Sequence, residues 1–120
     1  MTYSIRVKRV YDAASPTDGY RILVDRLWPR GLTHDRAAID EWMKEIAPSH
    51  DLRHWFAHDS NKWTAFREHY QIELDTDAGR ALINTIREKA QSQDVTLLFS
   101  AKNEEENNAV VLKHILETKR

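Results

Sequence analysis

Two short, unbroken apolar runs constrain this chain more than any other feature: Ile22-Leu23-Val24 at the end of Tyr20 to Val24, and Leu97-Leu98-Phe99 at the end of Val95 to Phe99. A strand with one wet face alternates apolar and polar side chains. A run without alternation suits a strand covered on both faces. Tyr3, Ile5 and Val7 alternate with Ser4, Arg6 and Lys8, which predicts a third strand with one polar face. Pro16 to Gly19 supplies turn chemistry between the first two strands. That connection lies near the lower limit for a parallel crossover, so their relative direction stays open.

The cover for those strands is legible as helical stripes. Ile39, Trp42, Met43 and Ile46 recur at helical spacing, predicting a helix that Thr33 or Asp35 caps and Pro48 ends. Trp63, Phe66, Tyr70 and Leu74 form a second stripe with Ser60 as its cap; Ala78, Leu82, Ile86 and Ala90 follow Asp77 as a third. Val111, Leu112, Ile115 and Leu116 mark a last helix. This order predicts an α/β fold: one small layered domain over residues 1–120, its central, mostly parallel sheet of a few strands flanked by helices. Trp42, Trp55 and Trp63 are expected in the core. Trp28 directly follows a buried strand and precedes Pro29, a position that packing alone does not explain.

Composition narrows the chemistry. The chain has 120 residues and no cysteine, so it must hold one core without disulfides, and thiol nucleophiles and thiolate metal sites are excluded. The absence of cysteine fits a reducing compartment. Arg6, Lys8 and Arg9 interrupt the first ten residues, unlike a signal peptide, and no segment has the apolar length of a membrane span. A cytoplasmic protein without a membrane partner is expected. A net charge of −1 argues against nucleic-acid binding through a global field, while Arg6, Lys8, Arg9, Arg21 and Arg36 leave room for a local patch. The only glycines are Gly19, Gly31 and Gly79, so there is no glycine-rich phosphate loop and no cofactor is expected.

Ligands of open α/β sheets bind beyond the carboxyl ends of the strands. Asp25 and Arg26 fall there after the first buried run, and Trp28-Pro29-Arg30-Gly31 suits a type I turn that would aim Arg30. Arg26 and Arg30 can hold an anion, Trp28 can stack on a flat group, and Asp25 can orient the arginines or act as a base. The competing reading is a structural corner in which Asp25 pairs with Arg26 or Arg30. Ser100, Lys102 and Asn103 follow the other buried run, and Asn103 with Glu104-Glu105-Glu106 reads as a helix start. Those glutamates occupy the positive end of the helix, which assigns an anion to Lys102 and the arginines. Asn107, one turn in, suits a polar ligand contact, whereas Asn108 reads as simply exposed. His50, His54 and His58 are spaced to share a helix face and are the only metal-site candidates, but they lack the glutamate of the metalloprotease pattern. No metal is assigned.

Arg9-Val10-Tyr11-Asp12, the stretch from Asp18-Gly19-Tyr20 through Trp28-Pro29-Arg30-Gly31, Trp42 through Ala47-Pro48-Ser49, Leu52-Arg53-Trp55-Phe56 and Asn107-Asn108-Ala109-Val110-Val111-Leu112 together resemble the YeaO-like family. That family is a branch of a bacterial domain-of-unknown-function superfamily. The resemblance spans nearly the whole chain and implies a small α/β fold, but it brings no substrate or reaction. The wider superfamily carries an Asp-x-Arg element and a later Cys-x-Glu…Cys-His-Arg pattern. Here Asp25 and Arg26 stand near the first element without its spacing. Phe99 and Ala101 take the places of Cys and Glu, and Asn107, Asn108 and Ala109 those of Cys-His-Arg. The superfamily's thiol or metal chemistry therefore does not carry over. What remains is an anion-binding or nucleotide-binding crevice, with a nucleic-acid-associated or protein-interaction module as the alternative.

Overall fold

The computed structural model describes residues 3–118. Four strands, β1 (Ile5–Arg9), β2 (Tyr20–Leu23), β3 (Glu41–Trp42) and β4 (Val95–Phe99), form a wholly parallel sheet in the order β1-β4-β2-β3. The two apolar runs are thus the central pair, with Ile22 opposite Leu97 and Leu23 opposite Leu98. The direction left open is parallel: β1 and β2 never touch, because each pairs with a different edge of β4. Gly19, at φ +67°, makes the return possible; a Cβ there would lie 2.1 Å from the Asp94 carbonyl oxygen.

Five α-helices occur among the described residues: α1 (His34–Ala37), α2 (His50–Phe56), α3 (Trp63–Leu74), α4 (Asp77–Lys89) and α5 (Asn108–Thr118). The pleat divides the core between the two faces of the sheet. Ile22, Val24, Val95, Leu97 and Phe99 join side chains of α2 to α5 in the larger cluster. Leu23 and Leu98 join Val10 and Ala37 on the other face, under Trp28, Leu32, Ile39 and Trp42. The rest of that second face is polar and buried. Arg21 donates to Asp18 and to the carbonyls of Ala37 and Ala38, Lys8 pairs with Asp18, and the Thr96 hydroxyl donates to the Asp18 carbonyl. Burial pushes the Asp18 carboxyl up, but the Ser15 amide, Lys8 and Arg21 outweigh it and hold the group below its ordinary pKa.

The helix expected through Ile39, Trp42, Met43 and Ile46 does not form. Glu41 and Trp42 instead extend the sheet beside Ile22 and Leu23, with flanking bonds from Asp40 N to Arg21 O and from Met43 N to Leu23 O. Sheet pairing overrides the periodicity, and the burial pattern shows why: Ile39 and Trp42 serve the smaller cluster while Met43 and Ile46 serve the larger. Thr33 does cap a helix, but only the single turn of α1. Ser60 is not the cap of α3. Asp59 caps a 3-10 turn over Ser60–Lys62 that leads into it, and the Ser60 hydroxyl donates to Glu106.

The stripe of α3 is as expected, with Phe66, Tyr70 and Leu74 buried. That of α4 is rotated: Gly79, Ile83 and Ile86 are buried and Ala78 is exposed. A Cβ on Gly79 would lie 2.2 Å from the Leu74 carbonyl oxygen, so this glycine allows α3 and α4 to meet closely. Trp55 is not a core residue; it is 41% exposed, with the Lys62 ammonium 4.9 Å from its ring centre. Among the described residues, no helix is long and apolar enough to cross a membrane.

Candidate functional site

β2 and β4 are neighbours, but the chain leaves their carboxyl ends toward opposite faces. After β2 it runs through Trp28, Leu32 and Ala37 over the smaller cluster; after β4 it enters α5, which packs on the larger one. Adjacent parallel strands whose continuations diverge leave a crevice beyond their ends. A cavity of about 930 Å³ opens there, lined by residues 25–30, 47–48, 53–54, 56–58 and 100–103 with Tyr11, Phe66, Asn107 and Asn108. Asp25, Arg26, Trp28, Arg30, Ser100, Lys102 and Asn107, picked from two distant stretches of sequence, all lie on its wall.

Their side chains are engaged very differently. Asp25 ties the two strand ends together: its carboxylate accepts the Ser100 amide at 2.8 Å, and its carbonyl accepts the Trp42 indole N–H at 2.8 Å. It does not pair with Arg26 or Arg30, as the structural-corner reading expected. Burial raises the Asp25 pKa above its ordinary value, against the opposing pull of Ser100, Asn108 and the Arg53 charge. Arg26 donates to the carbonyls of Ala47 (3.1 Å) and Pro48 (3.4 Å), fixing the opposite lip. The Trp28 indole donates to the Leu32 carbonyl at 2.8 Å and packs 4.2 Å from the His34 ring centre and 5.5 Å from that of Trp42. Packing therefore explains its position after all, and it forms a fixed wall of the cavity rather than a free stacking platform.

The turn carrying Arg30 lies one residue later than expected. Leu32 N bonds to Pro29 O, and Gly31 takes the third turn position at φ +84°, where a type II turn requires glycine. Arg30 is exposed; its carbonyl accepts the Tyr11 hydroxyl at 2.8 Å. Among the described residues, neither the Arg30 guanidinium nor the exposed Lys102 ammonium has an ion-pair or hydrogen-bond partner. The two are therefore available to solvent or ligand.

The segment after β4 also departs from expectation. Asn103 accepts the amides of Glu105 and Glu106, but this closes a turn, and α5 begins only at Asn108. Asn107 is its cap: the side-chain oxygen accepts the Val110 amide at 3.0 Å while the side-chain nitrogen donates to the Asn103 carbonyl at 2.9 Å. Both ends of that buried amide are thus committed to structure. Asn108 is not simply exposed; it donates to the Val24 carbonyl at 2.9 Å. The glutamates precede the helix rather than forming its first turn.

His50 and His54 stack with ring centres 5.8 Å apart on α2. The helix ends at Phe56, and Ala57 and His58 take positive φ, so His58 leaves the shared face. Among the described residues, no three His, Asp or Glu side chains gather in a metal-binding group. His54 and His58 instead line the cavity. The residue most clearly missed is Arg53, an exposed guanidinium on α2 whose charge acts on Asp25. No spacing connects α2 to β2, and only its place in the family-like stretch Leu52-Arg53-Trp55-Phe56 marked it.

The cavity is cationic although the chain is near neutral. Arg26, Arg30, Arg53 and Lys102 line it against the single carboxylate of Asp25, and Leu27, Pro29, Phe56 and Phe66 supply an apolar wall. Four of the five basic residues of the suggested surface patch are engaged within the chain, and the fifth, Arg36, is exposed. Arg21 is buried on Asp18, Lys8 pairs with Asp18, Arg6 with Asp94, and Arg9 donates to the carbonyls of Ser100 and Ala101.

No solved structure matches this chain. Uncharacterized protein YeaO of Escherichia coli (strain K12) is 49% identical over 111 residues, covering 91% of this chain and 93% of that one. Uncharacterized protein Rv3073c of Mycobacterium tuberculosis (strain ATCC 25618 / H37Rv) is 36% identical over 93% of this chain and 92% of its own length. Residues 4–120 match the family model described as the inactive DUF488-N3 subclade. With family model and relatives both matching over nearly the full length, this chain belongs to the YeaO-like family of that subclade.

Proposed function

We propose that this chain is a cytoplasmic protein that binds a small anionic or nucleotide-like ligand in the crevice beyond β2 and β4, without a catalytic step that depends on the ligand set of the wider superfamily. One observation carries the reading: four cationic side chains face one carboxylate around a single cavity, in a chain of net charge −1. Arg30 and Lys102 are the ligand-facing cations. Arg26 is held by main-chain carbonyls, a pre-ordered charge that costs little to organise on binding. Arg53 adds a third exposed charge from α2. Asp25 sets the depth at which an anion is tolerated, since a second negative charge beside it is disfavoured.

A thermal-shift panel of phosphorylated and carboxylated metabolites tests this. The native chain is expected to be stabilised by some members, and Arg30→Ala, whose exposed side chain supports no core contact, is expected to keep its own melting temperature and lose that response. Equal responses from Arg30→Ala and the native chain would refute it.

A further inference from the structure

We infer that the ligand is an anion with a compact apolar or aromatic body, and that Leu27 is the side chain that selects for that body. The inference rests on the anion-binding reading above and names the class of anion.

Leu27 is 61% exposed and belongs to neither core cluster. A lone exposed leucine needs no function. Its surroundings set this one apart. Leu27 stands between Arg26 and Trp28 on the cavity wall, facing the same space as the buried Pro29 and Phe56. The two neighbours are immobilised, Arg26 by the carbonyls of Ala47 and Pro48 and Trp28 by the Leu32 carbonyl and the His34 ring. Leu27 is therefore presented from a backbone fixed on both sides.

The chemistry of the wall is divided. Its exposed charges, Arg30, Arg53 and Lys102, can meet an anionic head, and its apolar groups can cover a body. A bare inorganic anion would satisfy the cations and leave Leu27 in water. A sugar phosphate would set hydroxyls against Leu27, Pro29 and Phe56, which offer them no hydrogen bond. An aryl or compact alkyl group attached to the anion leaves neither surface uncovered. If such a group removes roughly 60 Å² of apolar surface from water, binding tightens about tenfold.

The test is calorimetric titration of the native chain, Leu27→Ser and Arg30→Ala with inorganic phosphate, ribose 5-phosphate and phenyl phosphate. Phenyl phosphate is expected to bind the native chain about tenfold more tightly than the other two. Leu27→Ser should bring phenyl phosphate to within a few-fold of inorganic phosphate while leaving the latter unchanged; Arg30→Ala should weaken all three. Equal affinities of the native chain for the three ligands, or a phenyl preference that survives in Leu27→Ser, would overturn the inference while leaving anion binding standing. Failure of the native chain to bind any of them would overturn the anion-binding reading, and this inference with it.

Discussion

Replacing Asp25 separates its structural bond from its charge. The carboxylate accepts the Ser100 amide across 75 residues of sequence, joining the carboxyl ends of the two central strands. Asp25→Ala leaves that part-buried N–H without an acceptor, a loss of about 1–3 kcal/mol. At about 4 °C per kcal/mol for a domain of this size, the melting temperature should fall by roughly 4–12 °C. Asp25→Asn keeps an oxygen acceptor and removes the charge. Burial raises the folded-state pKa of Asp25 above the ordinary 3.8, so the folded chain holds this proton more tightly than the unfolded chain. The group's contribution to stability is therefore full below 3.8 and declines as pH rises through the folded value. Urea melts of both variants and the native chain from pH 3 to 7.5 read both effects. Asp25→Asn should match the native chain at the acid end and gain on it as pH rises, while Asp25→Ala stays below Asp25→Asn throughout. An Asp25→Ala variant as stable as the native chain would remove the strand-end tie. A gap between Asp25→Asn and the native chain that stays flat or narrows with pH would remove the buried charge.

Gly79→Ala should reverse the usual helix gain from alanine, because the added Cβ falls 2.2 Å from the Leu74 carbonyl oxygen; a loss of about 1–3 kcal/mol is expected. An unchanged or raised melting temperature would show that α3 and α4 are not so closely packed. Asp18→Asn strips the buried Arg21 of its counter-charge and should cost about 3–5 kcal/mol in urea unfolding. Asp18 has a folded-state pKa below 3.8, so its contribution is full above 3.8 and is lost as pH falls through the folded value. The destabilisation by Asp18→Asn should accordingly shrink in acid, and a constant difference from pH 6 to pH 2.5 would contradict the pairing.

The α/β fold class was legible in the sequence, whereas the edge of the sheet and the full lining of the cavity were legible only in part. Ile22 to Val24 and Leu97 to Phe99 were readable as central strands because burial on both faces leaves no polar residue in the run, and that signal is local. Glu41–Trp42 was not readable. Two residues carry no period, and what makes them a strand is the free edge of β2, which no local pattern records. The wall of the cavity followed from a general rule about strand ends, so Arg30 and Lys102 were found without knowing the sheet order. Arg53 escaped because its approach to Asp25 depends on how α2 packs. Asparagine is unusual inside a helix, which makes Asn107 read as a polar ligand contact; the helix begins at Asn108, so Asn107 stands at the cap, a position that asparagine favours.

The asparagines bear directly on the choice between binding and chemistry. The family resemblance drawn from the sequence implies thiol and imidazole groups in the wider superfamily at the positions of Phe99, Asn107 and Asn108. Here Phe99 is sealed in the larger core cluster, Asn107 is spent at both ends on capping α5, and Asn108 holds the carbonyl of Val24. Groups that would have to be free to react are the ones that now secure the frame of the crevice. Arg30 and Lys102, which have no structural partner among the described residues, are cations that can bind an anion. Asp25 already accepts the Ser100 amide and is pushed toward its protonated form by burial, while His54 and His58 line the same cavity. The proposed anion receptor therefore rests on a frame secured by Asn107 and Asn108, on the unpartnered cations Arg30 and Lys102, and on an acid already engaged by Ser100.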